Sequence, residues 1–332
     1  MKKSFLYLLA IALFFGACKK DDNTDDTPAG KPGEITLTVT QNGNVVSYKA
    51  SATDAVKFIW DLGNGETPEG AEVQGTYSFP GEYNVTCTAK GRDEDRVKTE
   101  AVNVLEGDPN IFNEVNVTLS GYNAATGESE AKWAYVNAAG TLGDGPREST
   151  PDTVYFNPID QSWWQSEEGD IADAALDDEY SFKLNAQMEY VNDFKTAFMI
   201  NWAWAAVRGY ATPGIWEDVE YEQYEAPASS WSVEHIDNIN DTLTFETNIN
   251  GNMMPGAYVI HLTNGASLGI EAAGNDYQIL KLTNDTLWIR YDNTFPENLG
   301  DFYDPGELES EGAAPGDPDE GYIKMYNTAT NK

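Results

Sequence analysis

Between residue 34 and the C-terminal strand the chain is a succession of short segments in which apolar and polar residues alternate. No long segment repeats its apolar residues at helical spacing. Glu34–Thr40 and Val45–Ala50 flank the turn Gln41-Asn42-Gly43-Asn44. Tyr83, Val85, Cys87 and Ala89 alternate with Asn84, Thr86 and Thr88, which predicts a strand with Cys87 pointing inward. Gly107-Asp108-Pro109 is a natural break. Beyond it, strands are predicted at Val115–Leu119, Lys132–Asn137, Glu179–Leu184, Met188–Asn192, Ala197–Trp204 and Trp231–His235. Others follow at Thr242–Thr247, Tyr258–Leu262, Tyr277–Leu282, Leu287–Tyr291 and Tyr322–Tyr326, and Tyr277 to Tyr291 reads as a hairpin turning at Asn284-Asp285. The expectation is an all-β protein: a small sandwich over 34–106 and a larger, jelly-roll-like β-sandwich over 107–332. Asp304 to Glu320, rich in Pro and acid, reads as a solvated loop before the final strand.

The chain of 332 residues is long enough for two domains with real cores. Acidic residues outnumber basic ones 55 to 20, for a formal charge of −35. Such a surface repels phosphate backbones and anionic headgroups, so no nucleic-acid partner is expected, and strongly anionic polysaccharides are disfavoured. Neutral glycans carry no such penalty. The two cysteines, Cys18 and Cys87, do not frame the fold with a disulfide, because Cys18 has another role.

Lys2 and Lys3, the apolar run Phe5–Phe15 and the small residues Gly16-Ala17 before Cys18 form a secretory signal over 1–17, too short to span a membrane stably. A Cys directly after the small residues resembles a bacterial lipoprotein box, which implies that Cys18 is acylated and becomes the first residue. Lys19-Lys20-Asp21-Asp22 resembles the charged tag by which lipoproteins of the Bacteroidetes reach the outer face of the outer membrane. Residues 18–33, polar and acidic, read as a flexible tether. The implied location is the outer membrane, lipid-anchored and facing outward.

Two further resemblances rest on longer motifs. Phe58-Ile59-Trp60-Asp61-Leu62-Gly63-Asn64-Gly65 and Tyr77-Ser78-Phe79-Pro80-Gly81-Glu82-Tyr83-Asn84-Val85 are similar to the signature of the PKD domain, an immunoglobulin-like β-sandwich. Leu62 and Asn64 stand where the family has Phe and Asp. The resemblance implies a spacer or a contact surface beside carbohydrate-active domains. Farther on, Trp133 and Tyr135, Gly143-Asp144-Gly145-Pro146, Ser162-Trp163-Trp164, Leu176 to Phe182 and the closing hairpin occur in order. The series resembles the C-terminal sandwich of PKD-containing surface glycan-binding lipoproteins encoded with SusC/SusD-like uptake systems. It implies non-catalytic capture of a neutral polysaccharide, often a β-glucan such as laminarin, with the uptake complex as partner.

Sugar rings stack their C–H faces on indoles, and polar side chains satisfy their hydroxyls. Eight of the nine Trp lie after residue 130. Trp163 and Trp164 are neighbours in a loop, where strand alternation would not bury both. Trp202 and Trp204 fall on one strand face with Phe198 and Ile200, either as a core stripe or as a sugar platform. Trp216 stands with Tyr221 and Tyr224 in an irregular acidic stretch. Asp144, Gln161, Gln165, Arg208 and Glu217 are candidate polar partners, while Trp231 and Trp288 are expected in the core. Asp177-Asp178-Glu179 would suit a structural calcium or be solvated acids, and no other cofactor is expected. Two alternatives stay open: a structural or adhesive surface lipoprotein, and a family-16-like glycoside hydrolase. That enzyme family needs Glu-x-Asp-x-x-Glu on one strand, and the nearest string is Glu168-Gly169-Asp170-Ile171-Ala172-Asp173, with Asp in place of the second Glu. The reading is therefore non-catalytic.

Overall fold

The computed structural model describes residues 30–146, 164–171, 173–212, 214, 218–237, 246–271, 274–293, 295–311, 315 and 319–330. The signal segment, Cys18 and most of the tether lie outside these. The chain forms two compact units. One comprises the described residues up to Thr40 with Ser47–Gly75 and Tyr83–Val102, the other Gln41–Val46, Thr76–Glu82 and the chain from Asn103.

The N-terminal strands are β1 (Thr36–Asn42), β2 (Val45–Ser51), β3 (Lys57–Asp61), β4 (Glu72–Thr76), β5 (Gly81–Lys90) and β6 (Asp95–Val104). They make two three-stranded sheets, β1-β2-β4 and β3-β5-β6, the layering of a sandwich. Trp60 is buried on β3, 5.6 Å from the Tyr48 ring, and its indole N–H donates to the Gly70 carbonyl at 2.9 Å. The turn after Trp60 needs its glycines: Gly63 has φ +74°, and the Asp61 and Asn64 side chains accept from the Gly63 and Glu66 amides at 3.0 Å. Cys87 points into the core opposite Trp60, as its alternation requires, and burial pushes its thiol up to about 11. It is an inert core residue.

The second unit opens with α1 (Glu114–Ser120), β7 (Tyr122–Asn123), β8 (Glu128–Ser129), β9 (Trp133–Ala134), β10 (Leu142–Pro146), β11 (Trp164–Gln165) and α2 (Asp173–Leu176). Next come β12 (Glu179–Phe182), β13 (Glu189–Asp193), β14 (Phe198–Ile200), α3 (Trp202–Val207), β15 (Val219–Tyr221) and β16 (Ser229–Ile236). The remainder is β17 (Glu246–Ile249), β18 (Asn252–Pro255), β19 (Ala257–Leu262), β20 (Ile270–Glu271), β21 (Asp276–Leu282), β22 (Thr286–Asp292), α4 (Pro305–Glu311) and β23 (Asp319–Asn327). Twelve of the described strands belong to one sheet, and its pairings return on themselves: β23-β9-β12-β13-β16-β19-β21-β22 and back to β23. The ring is flattened into a sandwich, with β14, β15 and β20 as a small third sheet on its core side. Ser267–Ile270 packs against several strands of the ring. The Tyr190 hydroxyl donates to the Ser267 carbonyl at 2.7 Å, and a Cβ on Gly269 (φ +87°) would fall within 3 Å of Tyr135, Ile323 and Met325.

Three expectations are corrected. Val115–Leu119 is helix α1, not strand. Asn113 caps it by accepting from the Asn116 amide at 2.9 Å, and Gly121 (φ +60°) ends it in the left-handed conformation. These caps outweigh the strand-like alternation of Val and Thr. Ala197–Trp204 is strand only to Ile200. Within Asp304 to Glu320, Pro305 starts a short helix that buries Leu308.

Two cross-strand pairs set a tyrosine over a glycine on opposite faces of the sheet: Gly143 beside Tyr322 and Gly321 beside Tyr291. A Cβ at either glycine would come within 2.4 Å of a tyrosine ring, and both rings are buried. Gly321→Ala is expected to destabilise the fold by ~1–3 kcal/mol in urea unfolding, as overpacking does. Gly300→Ala, where a Cβ meets only ordinary contact, should shift stability by less than ~0.5 kcal/mol.

Candidate functional site

The segment from Phe198 to Tyr210 builds the site. β14 stops at Asn201, whose side chain accepts from the Ala203 amide at 3.1 Å and whose own N–H donates to the Glu271 carbonyl at 3.0 Å. Ala203, Ala205 and Ala206 favour helix from there on. Helical geometry turns Trp202 and Trp204 to nearly opposite sides, which corrects the shared strand face. Trp202 packs 5.6 Å from Phe295 and 5.4 Å from Tyr303, over a small cluster with Leu299 and Leu308. Trp204 is half-buried against the main core.

One turn beyond Trp204, the Arg208 guanidinium lies 5.1 Å from the indole centroid and pairs with the Glu271 carboxylate. Glu271 is buried at the end of β20, placed by the parallel pairing of Ile200 with Glu271. Burial lowers the Arg208 pKa, while Tyr210 and Tyr224 favour its charged form. Tyr210 stacks on Tyr221 with centroids 4.3 Å apart. Tyr221 is opposite Phe198 across the β14-β15 ladder, and Tyr224 stacks on the Phe198 ring, also at 4.3 Å. The expected residues Trp204, Arg208, Tyr221 and Tyr224 therefore meet in one place, with partly exposed aromatic rings around a buried-edge ion pair. Tyr210 and Glu271 complete it. Tyr210 was legible only as a nearby aromatic, and Glu271 arrives by tertiary pairing.

Other candidates lie elsewhere. Trp164, at 45% exposure, and Gln165 form β11 on the far edge of the sheet, Trp164 opposite Asp144. Gln161, Trp163, Trp216 and Glu217 lie outside the described residues. Trp231 is in the core, as expected. Trp288 is not: it sits on the opposite face of the sheet, half-buried, sharing that face with Arg290. Glu168, Asp170 and Asp173 lie on an exposed loop and the first turn of α2, and the Asp170 carboxylate accepts from the Glu167 amide at 2.6 Å.

The three acids from Asp177 go separate ways. Asp177 accepts from the Thr196 hydroxyl at 3.3 Å, and Glu179 pairs with Lys132 at 2.6 Å, which lowers its pKa. Asp178 is buried, and the Tyr180 hydroxyl donates to it at 3.0 Å. Burial pushes Asp178 up to about 7, a rise that the Tyr180 hydrogen bond partly offsets. Among the described residues no group of three or more His, Cys, Asp or Glu is placed to hold a metal ion.

The family model of the PKD domain matches residues 28–100. Those residues are a PKD domain. Among solved structures, the chain is similar to the PKD1 domain of the Vibrio cholerae metalloprotease PrtV, at 23% identity over 22% of this chain and 96% of that one, with TM-score 0.21. It is likewise similar to the PKD1 domain of Vibrio anguillarum Epp, at 23% identity over 24% and 96%, TM-score 0.21. A third similarity, at 11% identity over 90% of this chain and 92% of the other, TM-score 0.22, is to a structure of carbohydrate-binding modules of the β-sandwich superfamily, described as having promiscuous specificity. No curated protein matches the chain.

The buried carboxyl of Asp178 makes stability pH-dependent. Its folded pKa lies above the unfolded value of 3.8, so its neutral form stabilises the fold at low pH, and that contribution is lost as pH rises toward 7. Asp178→Asn fixes the neutral form. Its Tm should gain on the parent as pH is raised from 5 to 8, whereas a constant difference would remove Asp178 as the cause.

Proposed function

We propose that the larger domain binds polysaccharide without cleaving it, and that the protein is a lipid-anchored outer-membrane lipoprotein presenting that domain outward. A neutral glycan is the ligand, a β-glucan such as laminarin first among them, delivered to a SusC/SusD-like uptake system. The observation that carries the reading is the cluster of Trp204, Arg208, Tyr210 and Tyr221. Partly exposed rings offer faces and edges to sugar C–H groups, and a guanidinium fixed by Glu271 offers donors to hydroxyls. The charge of −35 favours a neutral polymer over an anionic one at long range. The PKD domain acts as a spacer between membrane and binding domain.

Affinity electrophoresis through laminarin, with reducing-sugar release assayed in parallel, tests this. The protein should be retarded without releasing sugar, and Tyr221→Ala or Arg208→Ala should weaken retention about tenfold or more, the range of a binding hot spot. Sugar release would make the protein an enzyme. No retardation by any neutral glycan would favour an adhesive or structural role.

A further inference from the structure

The outer face of the large sheet carries a second arrangement that the aromatic cluster does not use. Asn248 is paired with Lys281 across β17 and β21, Lys281 with Trp288 across β21 and β22, and Trp288 with Lys324 across β22 and β23. Directly opposed residues share a face, so these four make a row spanning about 14 Å at the usual strand spacing. The ammonium groups of Lys281 and Lys324 lie 4.7 Å and 4.9 Å from the Trp288 ring centroid.

Two features set this row apart. First, its lysines stand without an ion-pair partner among the described residues, although Asp285 lines the adjoining pocket with Lys281. Acidic residues outnumber basic ones 55 to 20, and most other described lysines are paired, as Lys57 is with Glu69 and Lys132 with Glu179, while Lys183 donates to the Ser129 carbonyl. Among the described residues neither Lys281 nor Lys324 has a carboxylate within ion-pair reach. Burial also lowers the Lys324 pKa, as expected of an ammonium held without a counter-charge. Two like charges over one indole are costly unless an anion joins them. Second, the register of β21 shifts between Ile279 and Lys281. The bulge keeps Ile279 and Leu282 both in the core and turns Lys281 out beside Trp288. An open pocket of about 520 Å³ adjoins it, lined by Asn248, Asn250, Lys281, Thr283, Asn284 and Asp285, side chains suited to hydroxyl groups.

We propose that this face is a second ligand site, which takes the anionic substituent of a charged polysaccharide between the Lys281 and Lys324 ammonium groups and its neighbouring hydroxyls in the adjoining pocket. The substituent is a uronate carboxylate or a sulfate ester. The inference rests on the polysaccharide-binding reading for the class of ligand and extends it in charge. The net negative charge does not forbid it, because at physiological salt the far field is screened over about 8 Å while the two lysines act at contact.

The test compares the intact protein with a Lys281→Gln/Lys324→Gln double variant by affinity electrophoresis in alginate (uronate), ι-carrageenan (sulfate ester) and laminarin (neutral). At least one anionic polymer should retard the parent, less so in high salt, and the double variant should lose that retention tenfold or more. Laminarin retention should stay unchanged. Alginate and carrageenan together tell carboxylate from sulfate. A Lys281→Arg/Lys324→Arg variant keeps the charge and should keep the retention, which separates loss of the site from loss of the fold. The proposal is overturned if neither anionic polymer retards the parent, or if retention survives the double Gln substitution. Laminarin retention in either case leaves the first site standing.

Discussion

Backbone hydrogen bonds along Asp319–Asn327 close the larger unit. One edge of this strand pairs with Thr286–Asp292 throughout, while the other is divided, its first half to Leu142–Pro146 and its end to Trp133–Ala134. Without that division the sheet would be open at β22 and β9, with unpaired edges that invite association. With it, eight strands return on themselves and the aromatic core has an inside. The same strand sets both faces: Ile323 and Met325 turn into the core, while Tyr322, itself buried, and Lys324 lie on the opposite face with Trp288. The price is crowding, which glycine relieves at the two places where a tyrosine ring crosses the neighbouring backbone.

The aromatic cluster is built from elements outside the closed ring. A short third sheet carries Phe198, Tyr221 and Glu271, and the helix capped by Asn201 swings Trp204 and Arg208 over it. The Arg208–Glu271 pair orients the guanidinium, since a buried carboxylate left without it would be costly. The site is thus a small polar centre held by packed rings on a short sheet and helix beside the closed sheet.

Much of the fold was legible from residue order. The Tyr277–Tyr291 hairpin and the inward Cys87 follow from period-two alternation, and the Trp60 turn follows from its glycines. What was not legible lies where another term overrides alternation. Val115–Leu119 alternates as a strand would, yet Asn113 and Gly121 satisfy the ends of a helix there. Phe198 to Val207 is apolar except at Asn201, and in such a run periodicity cannot tell strand from helix; the cap at Asn201 decides. Trp288 is expected in the core, yet it alternates with Leu287 and Ile289 and shares parity with Arg290, a charged side chain that lies on the opposite face although it too is buried. Glu271 could not be placed at all, because only parallel pairing brings it to Ile200.

Hydrogen–deuterium exchange of the protein with and without saturating laminarin tests the central claim most directly. The account predicts added protection in the helix from Trp202 through Tyr210, in Val219–Tyr224 and at Ile270–Glu271, with the PKD domain unchanged. Protection confined to the PKD domain, or to the Lys281–Lys324 face, would contradict the assignment of neutral-glycan binding to the aromatic cluster.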